Sequence, residues 1–90
     1  MSAPRVARIR ATLEQQLAPE YLDVVDESHL HAGHPGARDG KGHFRINIVS
    51  ERFAGLTPLA RHRLVFSTLA DLMQTDIHAL SISASAPAED

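Results

Sequence analysis

Hydrophobic and polar positions alternate along this chain with two periods, and the breakers between them mark out five segments. From Arg5 to Leu17 the apolar residues Val6, Ile9, Leu13 and Leu17 fall within an arc of roughly 80° at helical spacing, while Arg5, Arg8, Thr12 and Gln15 point away. This predicts an amphipathic helix that ends near Ala18-Pro19. The segment Tyr21-Leu22-Asp23-Val24-Val25-Asp26 leans to strand and is closed by Asp26-Glu27-Ser28. His43-Phe44-Arg45-Ile46-Asn47-Ile48-Val49-Ser50 alternates cleanly, with Phe44, Ile46 and Ile48 on one side and Arg45 and Asn47 on the other, which predicts a strand. A short turn around Glu51-Arg52-Phe53 leads to Gly55, and Thr57-Pro58 reads as a helix N-cap followed by proline at the first helical position. That helix is expected to run to about Met73 or Gln74, with Leu64, Val65, Leu69, Leu72 and Met73 on its apolar face. The last segment, His78 to Ala84, alternates again. It places Leu80 and Ile82 toward the core and Ala79, Ser81 and Ser83 outside, and by parity His78 falls at the core edge. The tail from Pro87 to Asp90 is expected to fray.

Strands with one dry and one wet face need their helices on the same dry side. The expected fold is therefore α+β: a two-layer domain with a three-stranded sheet and helices on one face. The first two strands pair antiparallel and the third returns after the helical crossover. Ninety residues make a single domain, able to bury roughly 60–65% of the surface that its unfolded chain exposes. Between the first two strands, Ser28 to Gly42 holds four glycines, Pro35 and mixed charges without periodicity, and is expected to be a mobile connection.

The chain has no cysteine, so no disulfide framework is expected. The N-terminal segment carries arginines without an uninterrupted apolar stretch, and no run approaches the length of a membrane span. A cytoplasmic protein without membrane association is expected. The formal net charge of −2 argues against strong nonspecific binding to nucleic acid, which rests on phosphate neutralisation by a basic excess.

Six histidines remain as the candidate chemistry, three of them in His29-Leu30-His31-Ala32-Gly33-His34. Imidazole is the side chain here best able to hold a transition metal at neutral pH, yet His-x-His-x-x-His is too short and loose to stand as a zinc motif. On residue type alone, the loop histidines read as polar residues of a solvated loop rather than as a zinc site, and His78 as a hydrogen-bonded histidine at the edge of the core. His43, at the start of a strand, closes the loop and is assigned no ligand role.

The blocks Phe53-Ala54-Gly55-Leu56-Thr57-Pro58-Leu59-Ala60-Arg61-His62-Arg63-Leu64-Val65 and Ile77-His78-Ala79-Leu80-Ser81-Ile82 resemble the signature of the BolA family. Asp26-Glu27-Ser28, the histidine-bearing loop and His43-Phe44-Arg45-Ile46 extend the resemblance through both early strands, leaving out roughly four residues at each end. The blocks agree in order and in spacing, whereas Arg-His-Arg alone would mean little. The resemblance implies an α-β-β-α-α-β order similar to class II KH domains and a monothiol glutaredoxin as partner, with a [2Fe-2S] cluster and glutathione shared at the interface. The family histidine that opens the last strand is a metal ligand and is matched by His78. The second ligand comes from the loop, where His31 falls at the matching place and His34 is its neighbour.

A [2Fe-2S] cluster takes four terminal ligands, and two histidines can replace both thiolates on one iron. A chain without thiols is thus expected to hold such a cluster only with a partner, as a heterodimer, and to be a monomer alone. Other functions remain open. Arg61, Arg63 and Arg52 near the second helix can serve partner, glutathione or phosphate contacts, as in a DNA-binding transcriptional regulator. Against this stand the acidic balance, the scarcity of aromatic residues and the lack of a Gly-x-x-Gly clamp beside Gly55. No constellation of nucleophile and base supports an enzyme, and none is expected.

Overall fold

The structure, a computed structural model, describes residues 3–28 and 42–89. Helix α1 spans Ala3–Leu17, strand β1 Tyr21–Asp26, strand β2 Gly42–Val49, helix α2 Pro58–Thr68, helix α3 Ala70–Thr75 and strand β3 Ile77–Ser85, with a 3-10 turn at Glu51–Phe53. The strands form one sheet in the order β1-β2-β3. Strands β1 and β2 pair antiparallel, Tyr21 opposite Val49 through Asp26 opposite Phe44, and β2 and β3 pair parallel. This is the expected α+β architecture. The connection that carries His29, His31 and His34 lies outside the described residues.

The apolar stripe of α1 packs through Ile9, Leu13 and Leu17 onto Val24, Phe44, Ile46 and Ile48, and Phe53, Val65, Leu69 and Ile77 complete the buried cluster. All the apolar residues predicted to face inward are buried or packed against this core. The helix α1 stops because Ala18 takes a left-handed φ of 43° and Pro19 follows. Its N–H donates to Glu14 O at 3.3 Å.

The second helix differs from the expectation read from apolar spacing and agrees with the α-β-β-α-α-β order that the family resemblance implies. The predicted single helix is divided at Leu69 (φ −99°, ψ 14°) into α2 and α3. Its N-cap is as expected, Thr57 Oγ1 accepting from Ala60 N at 3.1 Å with Pro58 at the helix start. At the break, the Thr68 and Ser67 hydroxyls both donate to Leu64 O, at 2.7 and 3.2 Å. Such back-bonding competes with the helical ladder and bends it, while Leu69 itself stays fully buried.

Ser50 ties three elements together. Its buried hydroxyl donates to Leu17 O at 2.6 Å and accepts from Arg52 N at 3.1 Å, and its N–H donates to Ser85 O at 3.0 Å. The tail is more ordered than expected: Ala86 is buried and Pro87–Glu89 forms a 3-10 turn.

Candidate functional site

Each described end of the loop is fastened to the sheet. Ser28 N donates to Asp26 Oδ1 at 2.8 Å, an Asx-type closure of β1. Ser28 Oγ then accepts from His43 N at 3.1 Å, and Glu27 N donates to His43 O at 2.8 Å. From the other end, Gly42 N donates to Asp76 O at 2.9 Å. Residues 28 and 42 therefore form a stem at the end of the sheet where β3 begins. Gly42 is there because the stem is crowded: a Cβ on it would stand 2.7 Å from both a Phe44 ring carbon and Ser28 Oγ.

The register of β2 with β3 slips at this point. Gly42 faces Ile77 and His43 faces Ala79, so β3 spends one extra residue, His78, between them. This bulge reverses the parity read from the sequence. Ile77 is buried in the core, His78 is exposed, and alternation resumes with Leu80 packed on the core. The expectation that His78 sits at the core edge thus gives way to an exposed imidazole on the opposite face. There its ring meets that of His43, the centroids 5.2 Å apart and the planes tilted by 52°. Beside the pair, Glu27, His43, Phe44, Ala79, Leu80 and Ser81 line a shallow cavity of about 80 Å³. The Glu27 carboxylate on its rim accepts from Arg45 Nε at 2.8 Å.

The start of β3 is held by Asp76, which is buried. Its Oδ1 accepts from Arg8 Nη2 at 2.7 Å and Arg5 Nε at 3.1 Å, and its Oδ2 accepts from Thr75 Oγ1 at 3.0 Å and Arg8 Nε at 3.2 Å. The bond from Arg8 holds the carboxyl below its ordinary range against the opposing effect of burial, and the bonds from Thr75 and Arg5 act with it.

The three candidate arginines fare differently. Arg61 turns inward, Nε donating to Leu56 O at 3.0 Å and Nη1 to Ala84 O at 3.3 Å, so that it ties the start of α2 to β3. Arg52 Nη1 donates to Gln16 O at 3.2 Å. Arg63 is exposed on α2. These positions do not gather the three guanidinium groups for a single ligand. His31 and His34 lie outside the described residues, whereas His78 lies at the surface. Sequence reasoning missed His43 as the neighbour of His78, since nothing in the local pattern reveals the bulge. It also missed the Asp76 hub, whose arginine partners Arg5 and Arg8 stand on a helix about seventy positions away.

The sequence profile of the BolA-like proteins matches residues 13–89. The BolA-like protein 1 of Pongo abelii is 48% identical over 86 residues, 96% of this chain and 61% of the relative. The chain thus spans about three fifths of that relative's length. The DNA-binding transcriptional regulator BolA of Vibrio cholerae is 49% identical over 74 residues, 82% of this chain and 67% of that protein. Among solved structures, the BolA domain of SufE1 from Arabidopsis thaliana superposes with a TM-score of 0.85 at 44% identity, covering 96% of this chain and 95% of that one. Profile, relatives and fold agree along nearly the whole chain, which therefore belongs to the BolA-like protein family.

Proposed function

We propose that this chain is an adaptor in iron–sulfur assembly or regulation that shares a [2Fe-2S] cluster with a monothiol glutaredoxin and glutathione. The observation that carries this reading is the placement of His78, an exposed imidazole on a bulge. It lies against His43, whose backbone holds the stem of the histidine-bearing loop. The donor chemistry fits half of the ligand set. Two neutral imidazoles suit one iron of such a cluster, and with no cysteine in the chain the thiolates would come from a partner cysteine and glutathione. His78 with His31 or His34 would hold the group, which supplies an iron centre able to pass between partners. The chain's own part is to present and orient imidazole at a surface that a second protein can cover.

The test is anaerobic cluster reconstitution with a monothiol glutaredoxin and glutathione, read by visible absorption and circular dichroism. His78→Ala is expected to abolish the heterocomplex spectrum, and one of His31→Ala and His34→Ala to alter it. Spectra unchanged in all three variants sink the proposal.

A second reading is favoured by one finding, the name carried by the Vibrio cholerae relative, a DNA-binding transcriptional regulator. Here exposed Arg63 would meet phosphate, while Arg61 and Arg52 are engaged with main-chain carbonyls. Duplex binding that weakens steeply with salt and is reduced in Arg63→Ala would support it.

A further inference from the structure

A carboxylate taken out of water is costly unless every lone pair is used, and an apolar residue of similar volume commonly serves stability as well or better. Asp76 is one of two buried polar residues among those described, and the only charged one. Its carboxylate accepts four hydrogen bonds, three from arginines of the first two turns of α1 and one from Thr75. What charged, forked bonds supply beyond an apolar contact is direction. The main chain of Asp76 is held as firmly. Its N–H donates to Leu72 O at 2.8 Å, closing α3, and its carbonyl accepts from Gly42 N at 2.9 Å, at the exit of the loop.

We infer that Asp76 is a positioning residue, which with Arg5 and Arg8 fixes the entry of β3 so that the His78 ring is set against His43 and the loop stem. The inference rests on the reading of His78 as a metal ligand given above. The geometry leaves little slack between the clamp and the ring. Asp76 is held through its side chain and through its main chain, the next residue, Ile77, is buried to 1% exposure, and the one after it is His78 on the bulge. Freeing the carboxylate would release the first turns of α1 and leave the main-chain bonds to Leu72 and Gly42 as the remaining ties on this segment. Side-chain and main-chain ties together decide where the bulge points. By this account the N-terminal turns of α1, whose Arg5 and Arg8 side chains are 27% and 51% exposed, are coupled to the ligand site without touching it.

The test uses Asp76→Asn and, separately, the double variant Arg5→Gln/Arg8→Gln, which leaves the buried residue in place and keeps the test alive if Asp76→Asn does not fold. In the free protein, nuclear Overhauser contacts between the His43 and His78 rings and hydrogen exchange at the Gly42 amide are compared with wild type. In the reconstituted heterocomplex, the rate of cluster loss to a chelator is followed by visible circular dichroism. Both variants are expected to keep core methyl shifts, to lose the ring contact, to exchange at Gly42 faster and to release the cluster about tenfold faster, the usual scale for removing support behind a metal ligand. A folded variant that keeps the ring contact overturns the inference. So does one that loses the contact yet releases the cluster within twofold of wild type. Should the wild type take up no cluster, the proposed function fails, while the ring contact in the free protein still decides the role of Asp76.

Discussion

Gly42→Ala tests whether the loop stem is set by steric closeness. The new methyl would lie 2.7 Å from the Phe44 ring and 2.7 Å from Ser28 Oγ. Ordinary carbon contacts begin near ~3.5 Å, so the two sides must part by roughly 0.8 Å. Phe44 is 2% exposed and belongs to the buried core cluster, so its ring moves only against packed neighbours on the core side. Inserting one methyl into a filled site of this kind costs about 1–3 kcal/mol. Because Ser28 Oγ accepts from His43 N, the same push strains the bond that seats His43. The assay is a double-mutant cycle with Phe44→Leu, measured by urea denaturation and by the nuclear Overhauser contact between the His43 and His78 rings. Gly42→Ala alone is expected to lower stability by about 2 kcal/mol and to weaken the ring contact. In the Phe44→Leu background its cost is expected to fall by about 1 kcal/mol, the mark of two residues competing for one space. A Gly42→Ala protein with wild-type stability and an intact ring contact, or one whose cost is unaltered by Phe44→Leu, refutes the steric account.

Further outcomes follow from other contacts. Ser50→Ala removes the donor to Leu17 O and the acceptor for Arg52 N, and urea titration is expected to show a loss of about 2 kcal/mol, since a buried carbonyl is left unsatisfied. Ala18→Gly relieves the left-handed φ of 43° at the end of α1 and is expected to raise the denaturation midpoint by an amount equivalent to about 0.5–1 kcal/mol. The folded-state pKa of Asp76 is depressed by Arg8, so its stabilising contribution is complete above the unfolded carboxylate value of about 3.9 and is lost as pH falls below it toward the folded pKa. Melting curves between neutral and strongly acid pH are expected to show a shallower acid limb for Asp76→Asn than for wild type.

The elements that the pattern predicted are those whose periodicity is local. The stripe Val6, Ile9, Leu13, Leu17 and the alternation of Phe44, Ile46 and Ile48 each bury against a single layer, and Thr57-Pro58 starts a helix with groups a few residues apart. The misses have causes that act over distance or through hydroxyl chemistry. The break at Leu69 accompanies the back-bonding of Ser67 and Thr68, which helical spacing of apolar residues does not register. His78 was placed on the wrong face because parity was extrapolated through a bulge, and a bulge exists only in relation to the strand alongside. Arg61 was legible only as an arginine near the second helix. Its bond to Ala84 O, across 23 positions, was not. Asp76 offers the same lesson: its four side-chain bonds include three from arginines 68 and 71 positions away.

The parallel pairing of β2 with β3 also sets an order of events as the chain folds. The β1–β2 pair closes over the histidine-bearing loop alone, but His43 meets His78 only after the crossover through α2 and α3 has been laid down and β3 has docked. Non-local pairings of this kind carry the loop-closure entropy of the whole intervening chain and form late. A nascent or partly unfolded molecule therefore carries its histidines without assembling the pair, so the juxtaposition of these two rings reports that the chain has reached its native topology.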